Sequence, residues 1–261
     1  MRHWLDVPYG QRDLAKRCGA RWDNAAVRWY APQPGMHGLA RWEPLPDLLP
    51  GEDRSFGSGL FVDAIPSTTW FKNARTNIAR GDWQRVRMLV LRRAGYRCEA
   101  CGQPENRQAG RILECHERWH YDAATQTQQL RRLVAFCASC HGATHFGLAQ
   151  IQGRADEAIE HLLAVTGMSS READAHIDAA RLTYERRSRI PWTLDLSMLT
   201  EAGIALADGS HTAGPRPEAA GRARILHTPP AARTAPIPIA AQPKPAGLGS
   251  RWERWLQAGE R

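Results

Sequence analysis

The chain has 261 residues and a formal net charge of +8, with 35 lysines and arginines against 27 aspartates and glutamates. A basic surplus of this size favours a polyanionic partner, and we expect nucleic acid. No apolar run approaches the roughly 20 residues that span a bilayer, and the first residues lack the apolar core of a signal peptide. We therefore expect a cytoplasmic protein with no membrane partner, whose six cysteines bind metal rather than form disulfides.

Residues 1–45 are predicted to form a small accessory domain of α/β type. The sequence indicates a strand at 4–9, a helix that stops at Gly19, and two strands around a turn at 24–26. The segments VPYG, CGARWD and RWYAP resemble a small uncharacterised domain of mobile-element proteins such as conjugative primases. That resemblance implies an accessory role in nucleic-acid binding and no chemistry. The alternative is that the aromatic residues simply fill a small core.

Residues 46–79 are predicted to be a linker and packing segment, because their first half is rich in proline and glycine. A helix from Asp82 to Ala94 follows, and its apolar residues recur at helical spacing. Several arginines lie mostly off that apolar stripe and could face phosphates, although a solvated helix face is the commoner outcome: Arg85, Arg87, Arg92 and Arg93.

Two CxxC motifs supply the strongest signal in the sequence. One contains Cys98 and Cys101, and the other contains Cys137 and Cys140. Two such knuckles can present four thiolates to one tetrahedral zinc ion, which leaves no open position for a substrate. The competing interpretation is a thioredoxin-like redox pair, which needs a single CxxC in a βαβ setting that is absent here. We therefore predict a structural Zn²⁺ site.

Four histidines lie between and just after the knuckles: His116, His120, His141 and His145. A helix that begins near the second knuckle places the last two on one face, one turn apart, as two ligands of one cation require. His116 lies in a short apolar run that is typical of a strand, and residues 130–136 indicate a second strand. The predicted order is strand, loop, strand, helix. His120 is expected to be a surface or stacking residue.

The segments CEAC, LECHERWHYD and LVAFCASCHGATH resemble the HNH nuclease family over residues 80–150. The resemblance implies an α+β fold with a ββα-metal core, a structural zinc, and one catalytic divalent cation such as Mg²⁺. It implies hydrolysis of phosphodiester bonds in DNA. The catalytic positions that it indicates are His116, Glu117, His141 and His145, with the last two as ligands of the catalytic ion.

The first-strand pair is open to two assignments. The family places a metal ligand directly before the general base, so the pair is either Cys115-His116 or His116-Glu117. Mg²⁺ prefers oxygen to thiolate, which argues mildly against Cys115 as a ligand. We favour His116 as the base, because the pKa of histidine lies near working pH. The family's loop asparagine has no clear match, and Asp122 is a candidate substitute.

Three arginines near the motif are expected to contact the DNA backbone: Arg118, Arg131 and Arg132. The main alternative to a nuclease is a non-catalytic zinc-containing nucleic-acid-binding protein in which the histidines are a remnant. A further alternative is a scaffold that binds a protein partner through the N-terminal domain or the C-terminal tail.

The C-terminal part is predicted to contain three regions. Residues 151–206 form a helical extension, in which Ser169 to Glu172 resembles a capping arrangement. Residues 207–249 are rich in proline and alanine and are expected to be a disordered linker. Residues 250–261 could form a short amphipathic segment.

Overall fold

The computed structural model describes residues 2–70 and 72–207, which form a mixed α+β arrangement. The regions predicted as a linker at 207–249 and an amphipathic segment at 250–261 lie outside these residues, apart from Ala207. The described part contains two three-stranded sheets. Within it, no helix is both long and apolar enough to cross a bilayer.

The first sheet belongs to the N-terminal residues and has the antiparallel order β1-β3-β2. Its strands are β1 (His3–Leu5), β2 (Arg21–Asp23) and β3 (Arg28–Ala31), and helix α1 (Arg12–Arg17) lies between the first two in the chain. Helix α1 ends before Gly19, whose φ of +95° is one that few other residues adopt. A small core of its own holds this unit together: Leu5, Val7, Ala15, Ala20, Ala31, Leu39 and Trp42.

Helix α3 (Arg80–Arg93) joins the N-terminal unit to the rest of the chain. The buried Asp6 carboxylate accepts hydrogen bonds from Arg28 of β3 and Arg92 of α3, each at 2.9 Å. The other α3 arginines also bond inside the protein: Arg85 to the Glu43 carbonyl, Arg87 to the Leu113 carbonyl, and Arg93 to Glu52. These bonds direct at least one donor of each guanidinium group to an acceptor inside the protein, which argues against phosphate contact as their main task.

Residues 46–79 pack along the main core instead of spanning a gap, and they include the short helix α2 (Ala74–Asn77). Leu49 and Leu60 are buried there. The fully buried Glu52 accepts bonds of 2.5 and 2.6 Å from Arg93, and its Oε1 also accepts the backbone N–H of Leu133 at 3.1 Å. This ion pair ties the segment to α3 and to the central sheet.

The central sheet is built on a long antiparallel hairpin of β4 (Leu113–Asp122) and β5 (Thr127–Cys137). The register runs from Leu113 opposite Cys137 to Asp122 opposite Thr127, with a shift between Arg118 and Trp119. Helix α4 (Ala138–Thr144) follows β5 without a loop, and α5 (Phe146–Ile151) continues after one residue. The predicted order of strand, strand and helix is present at this place in the chain.

The remaining helices pack onto this hairpin and α4. Helix α6 (Ala155–Thr166) ends at Gly167 with a φ of +72°, and α7 (Ser170–Arg187) begins with the capping box of Ser169 and Glu172. Strand β6 (Thr193–Asp195) then pairs with β5 in parallel, which the sequence analysis did not foresee, and α8 (Ser197–Thr200) follows.

The Glu52–Arg93 pair gives a test of this packing. We expect Glu52→Ala to lower the free energy of unfolding by about 3 kcal/mol or more, because Arg93 stays buried without its counter-charge. Denaturant unfolding followed by tryptophan fluorescence measures the change. Glu185→Ala is the control, since the Arg181–Glu185 pair lies on the surface of α7 and its loss should change stability by about 0.5 kcal/mol or less. Equal effects of the two substitutions would contradict the role of Glu52.

Candidate metal centres

The two cysteine knuckles meet where α3, β5 and α4 come together. In the first knuckle, the backbone N–H of Cys98 donates to the Gln103 carbonyl and Gly102 donates to the Cys98 carbonyl, each at 2.9 Å. Gly102 has a φ of +72°, which closes this turn. In the second knuckle, Cys137 ends β5 and caps α4, and its sulfur accepts the N–H of Cys140 at 3.5 Å.

The four sulfur atoms lie within 4.8 Å of one another, and none of these cysteines forms a disulfide. The sulfurs of Cys101 and Cys137 are 3.7 Å apart. Four thiolates around zinc at about 2.3 Å stand roughly 3.8 Å from each other, so the arrangement fits a tetrahedral ion. Hydrogen bonds from Cys137 and Cys140 lower the pKa of Cys98, which favours a thiolate. The cluster can therefore hold a metal such as zinc.

A second cluster contains three imidazoles from one side of the hairpin and its helix. His116 comes from β4, His141 from α4, and His145 from the junction of α4 and α5. One nitrogen from each lies within 4.8 Å of the others, and the ring centroids are 4.6 to 5.2 Å apart. Two nitrogens on opposite sides of one ion stand roughly 4.2 Å apart, so modest side-chain movement would let one cation bind all three.

The surroundings of His116 suit a ligand or a proton acceptor. The ring is stacked on Phe136, with centroids 5.4 Å apart, and its side chain is only 3% exposed. Its Nε2 atom is buried and has no hydrogen-bond partner among the described residues. Burial lowers the pKa of His116 to about 4, despite the opposing effect of Asp63. The imidazole is thus neutral near pH 7, as both metal binding and proton acceptance require.

Two carboxylates that the sequence analysis missed border this cluster. The Asp63 carboxylate lies 3.6 Å from Nε2 of His116, and a hydrogen bond from its backbone N–H to the Thr144 carbonyl fixes it beside α4. Burial would raise the pKa of Asp63, but His116 and the charge of Arg118 outweigh it and lower that pKa to about 2. The Glu114 carboxylate lies 3.1 Å from Nδ1 of His141 and orients that ring.

The neighbours of His116 on β4 face away from the cluster, because alternate residues of a strand point to opposite sides. Burial raises the pKa of the Cys115 thiol, so this side chain stays protonated and is a poor ligand. The half-buried Glu117 accepts the backbone N–H of Arg75 at 3.2 Å and is not part of the metal-ligating group. The assignment of Glu117 as a catalytic residue is therefore wrong. Neither Cys115-His116 nor His116-Glu117 can act as an adjacent ligand and base, because only His116 faces the cluster.

Two of the three arginines expected to contact DNA are internal. Arg118 is 1% exposed and pairs with Asp63 at 3.1 Å, and Arg132 is 6% exposed and pairs with Glu99 at 2.8 Å. These carboxylates compensate the guanidinium charges inside the protein, so Arg118 and Arg132 cannot reach a phosphate. Arg131 is half-buried and is the member of the set that keeps access to solvent.

The other polar candidates lie away from the imidazoles. His120 is exposed and contacts Phe56 edge-on, as expected for a surface residue. Asp122 accepts hydrogen bonds from Ala124 and Thr125 in the hairpin turn, which is the far end of β4 from the knuckles. It therefore does not replace the missing loop asparagine, and Asp63 is the carboxylate that lies beside His116.

One family model and two curated proteins match parts of this chain. A domain of unknown function, DUF5710, matches residues 2–44. Two DNA primases named TraC from Escherichia coli also match: one is 52% identical over 50 residues, 19% of this chain and 4% of the primase, and the other is 50% identical over 89 residues, 31% of this chain and 6% of the primase. The chain thus spans a small fraction of these relatives. No solved structure matches.

These matches confirm the similarity of the N-terminal residues to a domain of conjugative primase proteins. The DUF5710 match ends at residue 44, before both metal-ligating clusters.

Removal of one thiol tests whether the cysteine cluster binds zinc. We expect Cys101→Ser to lose zinc and the fold of the central region, because metal binding at such sites supplies on the order of 10 kcal/mol of folding free energy. Elemental analysis of zinc and far-UV circular dichroism measure both effects. Cys18→Ser is the control, since Cys18 lies outside the cluster and its loss should leave one tightly bound zinc. A folded, zinc-free Cys101→Ser protein would contradict the structural role.

The pKa of Glu117 gives a pH-dependent prediction. Burial raises this pKa from 4.5 to about 7, so ionisation between these values destabilises the fold. Its contribution to stability is complete below pH 4.5 and is lost as the pH rises towards 7. We expect Glu117→Gln to be more stable than the parent by about 1–3 kcal/mol at pH 8 and to lose that advantage at pH 4.5. A difference in unfolding free energy that does not change with pH would rule this out.

Proposed function

We propose that this chain is a metal-dependent endonuclease of the HNH type that hydrolyses phosphodiester bonds in DNA. The observation that supports this best is the approach of three imidazoles within 4.8 Å on a strand–strand–helix unit, directly beside a four-thiol cluster. The thiols and the imidazoles are close in the chain but differ in chemistry. They therefore fit two different ions, one structural and one catalytic. The four thiolates close one site, and the imidazoles leave positions open in the other.

His141 and His145 hold the catalytic ion in this proposal, and Mg²⁺ or another divalent cation is the expected occupant. When bound, the ion stabilises the negative charge of the transition state and of the leaving oxygen. Glu114 contributes by fixing the His141 ring through its contact at Nδ1. A carboxylate behind a ligating histidine is a common arrangement, because it selects the tautomer and strengthens the ligand.

His116 acts as the general base through Nε2, a buried atom that makes no hydrogen bond to the described residues. It accepts a proton from water while the water oxygen attacks phosphorus. The opposite P–O bond breaks, and the departing 3′ oxygen takes a proton from solvent, which leaves a 5′-phosphate and a 3′-hydroxyl. The Nε2 atom that takes the proton lies 3.6 Å from the Asp63 carboxylate, whose negative charge stabilises the imidazolium. Arg118 keeps Asp63 ionised and in place. Asp63 thus performs the orienting task for which the sequence offers no loop asparagine.

DNA is the proposed substrate for two reasons. The chain carries a net charge of +8, which favours a polyanion. The relatives that share its N-terminal residues are DNA primases. Because backbone contacts dominate affinity for DNA, we expect binding to weaken as salt rises.

The second candidate is a non-catalytic zinc-containing protein that binds nucleic acid. It is favoured by the first strand, where His116 has no adjacent partner facing the cluster. Under this alternative the three imidazoles are a structural remnant, and the protein binds DNA without cutting it with any divalent cation.

Substitution of His116 separates the two candidates. We expect His116→Ala to lower cleavage of supercoiled plasmid and of single-stranded DNA by about 10²–10⁴-fold in Mg²⁺, Mn²⁺ or Ni²⁺, because the proton acceptor is lost. The zinc content and the melting temperature should stay those of a folded protein. Glu117→Gln and His120→Ala are the matched controls, and both should cut normally.

Full cleavage by His116→Ala would refute the assignment of the base. A parent protein that retains DNA but never cuts it, with all three cations, would favour the non-catalytic alternative.

A further inference from the structure

The N-terminal unit displays a continuous row of aromatic and basic side chains, which we call the N-terminal ladder: Tyr9, Arg12, Lys16, Trp29 and Trp22. The Arg12 guanidinium lies 4.0 Å from the centre of the Tyr9 ring. One turn further along α1, Lys16 lies 5.9 Å from the centre of the Trp29 ring. Trp29 then contacts Trp22 of the neighbouring strand edge-on at 5.3 Å. Each member therefore touches or adjoins the next.

The ends of the ladder are open to solvent. Tyr9 is 80% exposed and Trp22 is 42% exposed. The core of the unit does not need either ring, because it is filled by seven other residues. Large aromatic surfaces that a small domain leaves uncovered mark a binding site more often than a packing error. An aromatic ring beside a cation suits a ligand that has both a flat ring to stack and a negative charge.

The charge around the ladder is mainly positive. Arg12 and Lys16 lie within it, and Arg17 is exposed on the same helix. Asp13 is the acidic residue of the ladder surface, and it lies 3.8 Å from both Arg12 and Lys16, so it offsets one charge at most. Asp23 is buried and paired with Arg2. The surplus complements a polyanion.

We infer that the N-terminal ladder binds single-stranded nucleic acid, with bases stacked on Tyr9 and Trp22 and phosphates held by Arg12 and Lys16. Stacking needs unpaired bases, because a duplex hides the faces of its bases. Aromatic rings stack on the unpaired bases of a single strand, and the cations between them bind its phosphates. Neither contact depends on the base sequence. This site is separate from the imidazole cluster and does not depend on the nuclease proposal.

Binding is tested in the full-length chain carrying His116→Ala, so that a fluorescein-labelled 20-mer of deoxythymidine stays intact during the measurement. Anisotropy titrations at 50 mM NaCl give the dissociation constant. We expect Tyr9→Ala and Trp22→Ala each to weaken binding by about fivefold or more, as loss of one stacked base does. The Arg12→Ala, Lys16→Ala double variant should lower the slope of log affinity against log salt by about 1.4.

Leu182→Ala and Arg186→Ala on α7 are the controls, because they remove an exposed apolar side chain and an exposed cation elsewhere. Both should bind like the His116→Ala parent. Equal melting temperatures exclude unfolding as the cause of any loss. Unchanged affinity in both aromatic variants, or a salt slope unchanged in the double variant, would overturn the inference. A failure of the nuclease proposal gives a different result. In that case the wild-type chain does not cleave DNA, while the ladder variants still lose affinity for the 20-mer.

Discussion

The convergence of four thiolates at the end of β5 fixes the geometry on which the rest of the central region depends. Cys137 has three tasks at once: it ends the strand, caps α4 and supplies a sulfur to the cluster. Because Cys140 lies in the first turn of the same helix, the cluster determines both the start and the direction of α4. His141 is the next residue and His145 comes one turn later. An ion held by the four cysteines would thus fix the positions of the His141 and His145 rings without contacting them.

The same cluster reaches beyond the hairpin. The sulfur of Cys140 lies 3.0 Å from Nε2 of His161 on α6, so the helical extension is tied directly to the knuckles. On the other side, the carboxylate of Glu99, inside the first knuckle, accepts the N–H of Ala135 and pairs with Arg132 of β5. The knuckle therefore orders the strand through side-chain bonds, in addition to any metal that the four cysteines hold. This arrangement explains why Arg132, which looks like a surface cation in the sequence, is used inside the fold.

A second constraint is the buried ion pair of Arg118 and Asp63, which lies beside the neutral ring of His116. Removal of two charges from water is expensive, and a buried pair often stabilises a fold less than apolar residues of similar size would. Arg118 offsets part of this penalty by packing its guanidinium 3.8 Å from the centre of the Phe61 ring. Groups with shifted pKa values that gather in one place are more typical of functional sites than of folding alone. The proposed roles of His116 as base and of Asp63 as its carboxylate partner would explain why these groups are buried together.

The parts of the site that the sequence could predict are those set by local spacing. The two CxxC knuckles, the one-turn interval of His141 and His145, and the order of the elements all follow from positions a few residues apart. Asp63 could not be found this way, because an irregular segment brings it to His116 across more than fifty positions of the chain. The burial of Arg118 depends on the same distant partner. Glu117 is different, because neighbouring residues of a strand point to opposite faces of the sheet. The sequence alone therefore indicates that Glu117 and His116 do not share a face.

The positions of the cations suggest how the two ends of the described chain could work together. Near the imidazoles, Arg118 and Arg132 are paired with carboxylates inside the protein, whereas Arg75 is exposed and its charge acts on Glu114 beside His141. The N-terminal ladder carries exposed cations and rings, and Asp6 connects its unit to α3 through Arg28 and Arg92. Two weak sites joined on one chain bind a common strand more tightly than either alone, because the second contact forms at a high effective concentration. Under the two proposals, the N-terminal unit would add affinity for the strand, and the imidazole centre would supply the chemistry.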